Sequence, residues 1–190
     1  TKTTKDRKEM IQLLKTVAGN LNETSYNLNN IVSIQTKIDI EVEPLNLSKY
    51  VLKTLATQNA QILSKKATIL NEIDEHIEIN FNKAYLESVL LNLLSNALRY
   101  SYPSRNPIIT LTCTKEDNHQ VLRVSDNGIG IDLSKHGDKL FGIYQTFNGN
   151  ADARGFGLFI SKNQIEAMGG KIEVESILGE GTAFKIYFKG

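Results

Sequence analysis

The stretch Val121-Leu122-Arg123-Val124-Ser125-Asp126-Asn127-Gly128-Ile129-Gly130-Ile131-Asp132 most constrains what this chain can fold into, because a strand runs directly into a glycine-punctuated turn. Side chains alternate across a strand, so Asp126 falls on the face of Leu122 and Val124, opposite Arg123 and Ser125. A carboxylate on the apolar side is costly unless something hydrogen-bonds to it. Gly128 and Gly130 let the backbone adopt positive φ and approach a ligand closely. The same residues also suit an ordinary tight turn, since Asp-Gly and Asn-Gly pairs are the commonest turn formers. This stretch alone does not choose between the two.

A chain of 190 residues holds one good-sized domain and a small appendage. Lys and Arg number 22 against 21 Asp and Glu, a net charge of +1, which excludes a bulk electrostatic case for nucleic acid or anionic membrane. No apolar run is long enough to span a bilayer and no secretory signal is visible, while the start at Thr1-Lys2-Thr3-Thr4 predicts a fragment of a longer protein. Cys113 is the single cysteine, so no internal disulfide forms, and a cytoplasmic domain is expected.

From about Lys5 to Gln35, Met10, Leu14, Val17, Leu21, Thr24, Leu28 and Ile31 recur at steps of four and three, a heptad seam that predicts a long N-terminal helix with a partner helix. Glu41-Val42-Glu43-Pro44 reads as a linker, because Pro44 disfavours helix before it. Asn46 is the expected N-cap of a helix from Leu47 to Lys65. Strands are expected at Thr68–Ile73 and His76–Phe81, then a helix over Lys83–Tyr100. A hairpin follows over Ile108–Thr114 and Gln120–Ser125, then an irregular stretch to about Arg154, a helix over Gly155–Met168, and a closing hairpin turning at Gly179-Glu180-Gly181. Strands grouped apart from helices predict an α+β two-layer sandwich, a mixed β-sheet backed by three helices.

On the Lys83–Tyr100 helix, Ser88, Asn92, Ser95, Asn96 and Arg99 fall in a sector of about 100°. A surface helix ordinarily carries a broad charged face, whereas this is a narrow groove of amide and hydroxyl groups ending in one cation. Asn oxygens can ligate Mg²⁺, which keeps several waters and prefers few protein ligands plus substrate phosphates. Arg99, one turn on, can fork onto phosphate oxygens. A purely structural role for Asn92 and Asn96, tying the helix to a neighbouring loop, is the alternative. The connection from Asp132 to Gly155 has the length of a functional cover, and it leads into Ala153-Arg154-Gly155-Phe156-Gly157-Leu158, where a helix opens with free N–H groups suited to an anion.

Asn92-Leu93-Leu94-Ser95-Asn96-Ala97, Asp126-Asn127-Gly128-Ile129-Gly130, Phe141 with Phe147, Gly155-Phe156-Gly157-Leu158 and Gly179-Glu180-Gly181-Thr182 together resemble the N, G1, F, G2 and G3 boxes of sensor histidine kinases. All five occur in order over about Leu47 to Gly190. The resemblance implies the ATP-binding fold shared with gyrase, mismatch-repair and heat-shock chaperone ATPases. It assigns residues 44–190 to the ATP-binding domain, with a lid at about 132–155, and residues 1–43 to the remnant of the dimerisation and phosphotransfer hairpin plus linker. It further implies that Asp126 accepts from the adenine amino group, that Asn96 with Asn92 holds Mg²⁺, and that Arg99 contacts phosphate beside Tyr100. Gly128, Ile129, Gly130 and Ile131 would belong to the base pocket, Leu140, Phe141, Gly155, Phe156, Gly157 and Leu158 to the rest of the nucleotide site, and Thr182 to the adenine end. The implied partners are ATP, a second copy of the intact protein, a response regulator or receiver domain, and an upstream sensory domain, in a parent protein that is either soluble or membrane-anchored.

Two departures stand out. The G2 box usually opens with glycine, and Ala153 stands there with Arg154 next, which either reaches a phosphate when the lid closes or points to solvent. No phosphoacceptor motif is present either. His76 precedes Ile77 at the head of a strand, His119 sits in a hairpin turn and His136 in the lid, so ATP binding without self-phosphorylation is expected of this fragment. Competing readings are an ATPase of the wider superfamily, a nucleotide-binding or purely structural interaction module without kinase activity, and an anti-sigma-type kinase acting on Ser. The ATPase relatives place a Glu four residues before the metal-binding Asn, where this chain has Asn92.

Overall fold

The computed structural model of the chain describes residues 7, 10–11, 40–117, 119–142 and 156–190. The chain divides into two units, 1–38 and 39–190. Of the expected heptad helix only Arg7, Met10 and Ile11 are among the described residues, and all three are helical; the rest of that seam lies outside them.

The second unit begins where a linker was expected. Glu43–Asn46 is instead a strand, β1, paired antiparallel with β3 (Glu78–Phe81). Pro44 opposes Asn80 there, which is tolerated because a two-stranded edge ladder can spare one donor. Leu45, Ile79 and Phe81 carry the pairing into the core. Asn46 caps helix α1 (Leu47–Thr57) as expected, its side-chain oxygen accepting from the Lys49 N–H at 2.9 Å. The single helix expected to Lys65 breaks at Gln58, and α2 (Asn59–Ser64) follows. No residue of α2 is fully buried and Leu63 is exposed; only Ile62 packs partly against the core.

Helix α3 (Lys83–Arg99) buries Leu86, Val89, Leu90, Leu93, Leu94, Ala97 and Leu98. Each fully buried leucine contributes roughly 1.5–3 kcal/mol, which makes α3 the backbone of the helical layer. Opposite it lies a five-stranded sheet in the order β2 (Thr68–Asn71), β4 (Ile108–Glu116), β5 (His119–Asp126), β7 (Gly181–Tyr187), β6 (Lys171–Ile177). Strands β2 and β4 are parallel and the other pairs antiparallel, so the sheet is mixed. Ile109, Leu111, Leu122, Val124, Phe184 and Ile186 share one core with the helices, and Phe188 meets Phe81 edge-on at 5.4 Å between ring centroids. This is the expected two-layer sandwich, with α1, α3 and α5 (Gly157–Ala167) as its principal helices. The stretch after Asp132 is not irregular throughout: Leu133–His136 forms a short helix, α4, and Gly137–Lys139 a 3₁₀ turn. Among the described residues no helix is long and apolar enough to cross a membrane.

Antiparallel pairing of β5 with β7 sets the end of one strand beside the start of the other, so Asp126 lies opposite Thr182. The C-terminal end of α3 meets this edge, where the Ile129 N–H donates to the Tyr100 carbonyl at 3.0 Å.

Candidate functional site

Asp126 has Ile109 and Thr182 as cross-strand partners, and its side chain lies on the inward face with Leu122 and Val124. Its Oδ1 accepts from the Gly128 N–H at 2.7 Å. Burial pushes the carboxyl up to about 6, against the N–H groups of Gly128 and Thr182 and the positive charge of Arg105, all of which favour the anion. Position 128 must be glycine on space alone: a Cβ there would stand 2.5 Å from the Tyr100 carbonyl oxygen and 2.6 Å from Asp126 Oδ1.

Thr182 is buried, with Oγ1 2.9 Å from Ser176 Oγ. Ser176 Oγ donates to the Gly181 carbonyl and accepts from the Ile131 N–H, both at 2.8 Å. A hydroxyl has one proton, so Thr182 must donate to Ser176 and keep its lone pairs for another donor. Ser176 was not among the expected site residues. Only the β6–β7 register, which pairs Ser176 with Thr182, brings it there.

The amide stripe of α3 faces α5. Asn92 Nδ2 donates to Ser161 Oγ at 2.8 Å, and Asn92 Oδ1 accepts from Asn96 Nδ2 at 3.3 Å. Asn92 thereby ties α3 to a neighbouring helix, where the structural alternative expected a loop. Asn96 Oδ1 is engaged by no donor among the described residues. Gly157 packs on Asn92 so closely that a Cβ would fall 2.1 Å from Asn92 Oδ1, so the glycine that opens α5 exists to admit this amide. Phe156 holds the N-cap position with a side chain that cannot accept from the first-turn N–H groups.

The remaining expected residues divide. Ile129, Gly130 and Ile131 lie in the turn after Asp126, and Tyr100 abuts it through its carbonyl. Leu140 is a core residue at 2% exposure, and the half-buried Phe141 carries the Lys162 ammonium 5.7 Å from its ring centroid. Phe156, Gly157 and Leu158 are half-buried at the start of α5, whereas Arg99 is exposed in the last turn of α3. Phe147, Ala153, Arg154 and Gly155 lie outside the described residues. Among the described residues, no group of three His, Cys, Asp or Glu side chains is disposed to hold a metal.

A half-buried carboxylate at a strand end, close-packed glycines around it and an amide-lined helix facing the start of α5, on a mixed five-stranded sheet, are the features of a nucleotide-binding ATPase domain. The chain belongs to the histidine kinase-, DNA gyrase B- and HSP90-like ATPase family, whose pattern matches residues 82–190. It is 29% identical to the circadian input-output histidine kinase CikA of Synechococcus elongatus, over 97% of this chain and 25% of that protein. It is also 29% identical to the sensor protein SrrB of Staphylococcus aureus, over 94% of this chain and 31% of SrrB. The chain thus spans between a quarter and a third of these relatives. Its fold matches the Acinetobacter baumannii histidine kinase AdeS with a TM-score of 0.77 at 17% identity, over 100% of this chain and 86% of that one.

Proposed function

We propose that this chain is the ATP-binding catalytic part of a sensor histidine kinase in two-component signalling, transferring the γ-phosphoryl group of ATP to a histidine that is not in this sequence. The observation that carries this reading is the Asp126 carboxylate, held by the Gly128 N–H on the inward face of β5 beside Thr182. It accepts from the amino group of adenine, and it disfavours guanine, which presents an oxygen at that position. Gly128, Ile129, Gly130, Ile131 and Tyr100 surround the base, with Leu140 and Phe141 at the lid side.

At the other end, the first-turn N–H groups of α5 receive phosphate oxygens, together with Gly155 and Leu158. Asn96 supplies one protein oxygen to Mg²⁺, which suits an ion that keeps its waters and shares substrate phosphates. When bound, that ion neutralises phosphate charge. Asn92, already bonded to Ser161 and Asn96, orients Asn96. Arg99 and Arg154 fork onto phosphate oxygens. An incoming imidazole is itself a nucleophile, so these residues position and neutralise without needing a strong base. Water activation, the alternative, lacks its base: Asn92 stands where the hydrolysing relatives use Glu, and an amide takes no proton. The intact protein acts as a dimer through the N-terminal helical hairpin, with a sensory domain upstream and a response regulator as phosphoryl acceptor.

Calorimetric titration with a non-hydrolysable ATP analogue, with and without Mg²⁺, tests this. Saturable binding should weaken in Asp126→Asn and lose its Mg²⁺ dependence in Asn96→Ala. A flat titration of the wild-type chain favours the interaction module, and steady ATP hydrolysis without a histidine partner favours the ATPase.

A further inference from the structure

Four backbone carbonyls from two separate turns converge on one side chain. Arg105 Nε donates to the Asn127 carbonyl at 2.6 Å, and Nη2 lies 2.8 Å from the Gly128 carbonyl, 2.8 Å from that of Gly179 and 3.1 Å from that of Glu180. Asn127 and Gly128 directly follow Asp126; Gly179 and Glu180 form the turn that leads into Thr182. Arg105 therefore grips both flanks of the Asp126–Thr182 pair. The turns also touch directly, the Gly179 N–H donating to the Ile129 carbonyl at 2.7 Å.

The loop carrying Arg105 is itself fastened to the same place. Asn127 Oδ1 accepts from the Ile108 N–H at 2.8 Å, Asn127 Nδ2 donates to the Asn106 carbonyl at 3.1 Å, and the guanidinium lies 4.7 Å from the Tyr102 ring centroid. Converging carbonyl dipoles repel one another unless a cation with several donors stands between them. A planar guanidinium meets that geometry, and an ammonium, a point charge on a flexible stem, does not.

We infer that Arg105 is a positioning residue that locks the Asn127–Gly128 turn to the Gly179–Glu180 turn and so holds Asp126 in register for the adenine amino group. This rests on the adenine reading of Asp126. A merely architectural arginine would change stability alone; a positioning arginine changes which base the site prefers.

The test compares binding of ATP and GTP analogues to the wild-type chain, Arg105→Ala and Arg105→Lys, with far-ultraviolet circular dichroism as the check of folding. In folded Arg105→Ala the ATP analogue should bind about tenfold more weakly while the GTP analogue changes by less than about threefold, so discrimination narrows. Arg105→Lys should recover only part of it. A folded Arg105→Ala with unchanged affinity and unchanged discrimination overturns the proposal. If Arg105→Ala does not fold, Arg105→Lys and Arg105→Gln decide by the same ratio, and failure of all three to fold assigns Arg105 to architecture and overturns it as well. A wild-type chain that binds ATP with no preference over GTP, or not at all, defeats the adenine reading itself, and the clamp falls with it.

Discussion

Asn92 Nδ2 donates to Ser161 Oγ over 2.8 Å, and this bond joins α3 to α5 across 69 positions of sequence. Ser161 is 1% exposed, so no water replaces a lost hydroxyl without rearrangement. Ser161→Ala leaves a donor of Asn92 unpaired and should cost about 1–3 kcal/mol in urea unfolding. Because the same amide steadies Asn96, the variant should also show a weaker Mg²⁺ effect on ATP-analogue affinity. Unchanged stability would mean that Asn92 has a second partner.

Gly157→Ala sets two effects against each other. Alanine in a helix gains about 1 kcal/mol over glycine. Its Cβ, however, would lie 2.1 Å from Asn92 Oδ1, a side chain already bonded on both sides. The clash should win, giving a net loss of about 1–3 kcal/mol and a weakened nucleotide site, measured by urea unfolding and calorimetry. A stabilised variant would show that Asn92 moves freely.

The pH dependence of Asp126 has a definite sign. Burial raises its carboxyl to about 6 in the folded chain. Below about pH 4 it is protonated folded or unfolded. Between there and about 6 the unfolded carboxyl ionises first, so its contribution to stability is present at low pH and lost as pH rises through the folded value, on the order of 3 kcal/mol in all. Asp126→Asn should therefore be more stable than wild type at pH 7.5, with the advantage vanishing near pH 4, in paired urea titrations. ATP-analogue affinity of the wild type should meanwhile rise from pH 5 to 7 as the carboxylate acceptor forms, and that rise should be absent in Asp126→Asn.

Ser176→Ala removes the acceptor of the Ile131 N–H and of the Thr182 hydroxyl together. Thermal unfolding should move down by several degrees, equivalent to about 1–3 kcal/mol. Released from Ser176, the Thr182 hydroxyl can turn toward the base, so the ATP-to-GTP preference should shift as well. A stability change with an unaltered preference would place Ser176 in the scaffold only.

Local rules reach a long way into this chain. The inward face of α3, the alternation along β4, β5 and β7, and the Asn46 cap all follow from side-chain periodicity and capping chemistry within a few residues. So does the position of Asp126 on the apolar face, because alternation on a strand does not depend on what the strand pairs with.

What pairs with what was not legible. Glu41–Pro44 reads as a linker until β3 pairs with Glu43 and Pro44, and the break at Gln58, after which α2 has only the partly buried Ile62 against the core, carries no local signal in the sequence. The site shows the same division. Asp126, Asn96 and the glycines stand in local patterns, whereas Ser161, Ser176 and Arg105 belong to none. Their roles are set by strand register and helix packing across 69, 6 and 22–75 residues, respectively. Sequence alone determined the two-layer architecture and the faces on which Asp126 and Asn96 stand, since both rest on near-neighbour rules. The tertiary structure decided which distant hydroxyl, turn and guanidinium hold those residues in place, because a hydrogen bond has no periodicity to announce it until the backbone brings its partners within 3 Å.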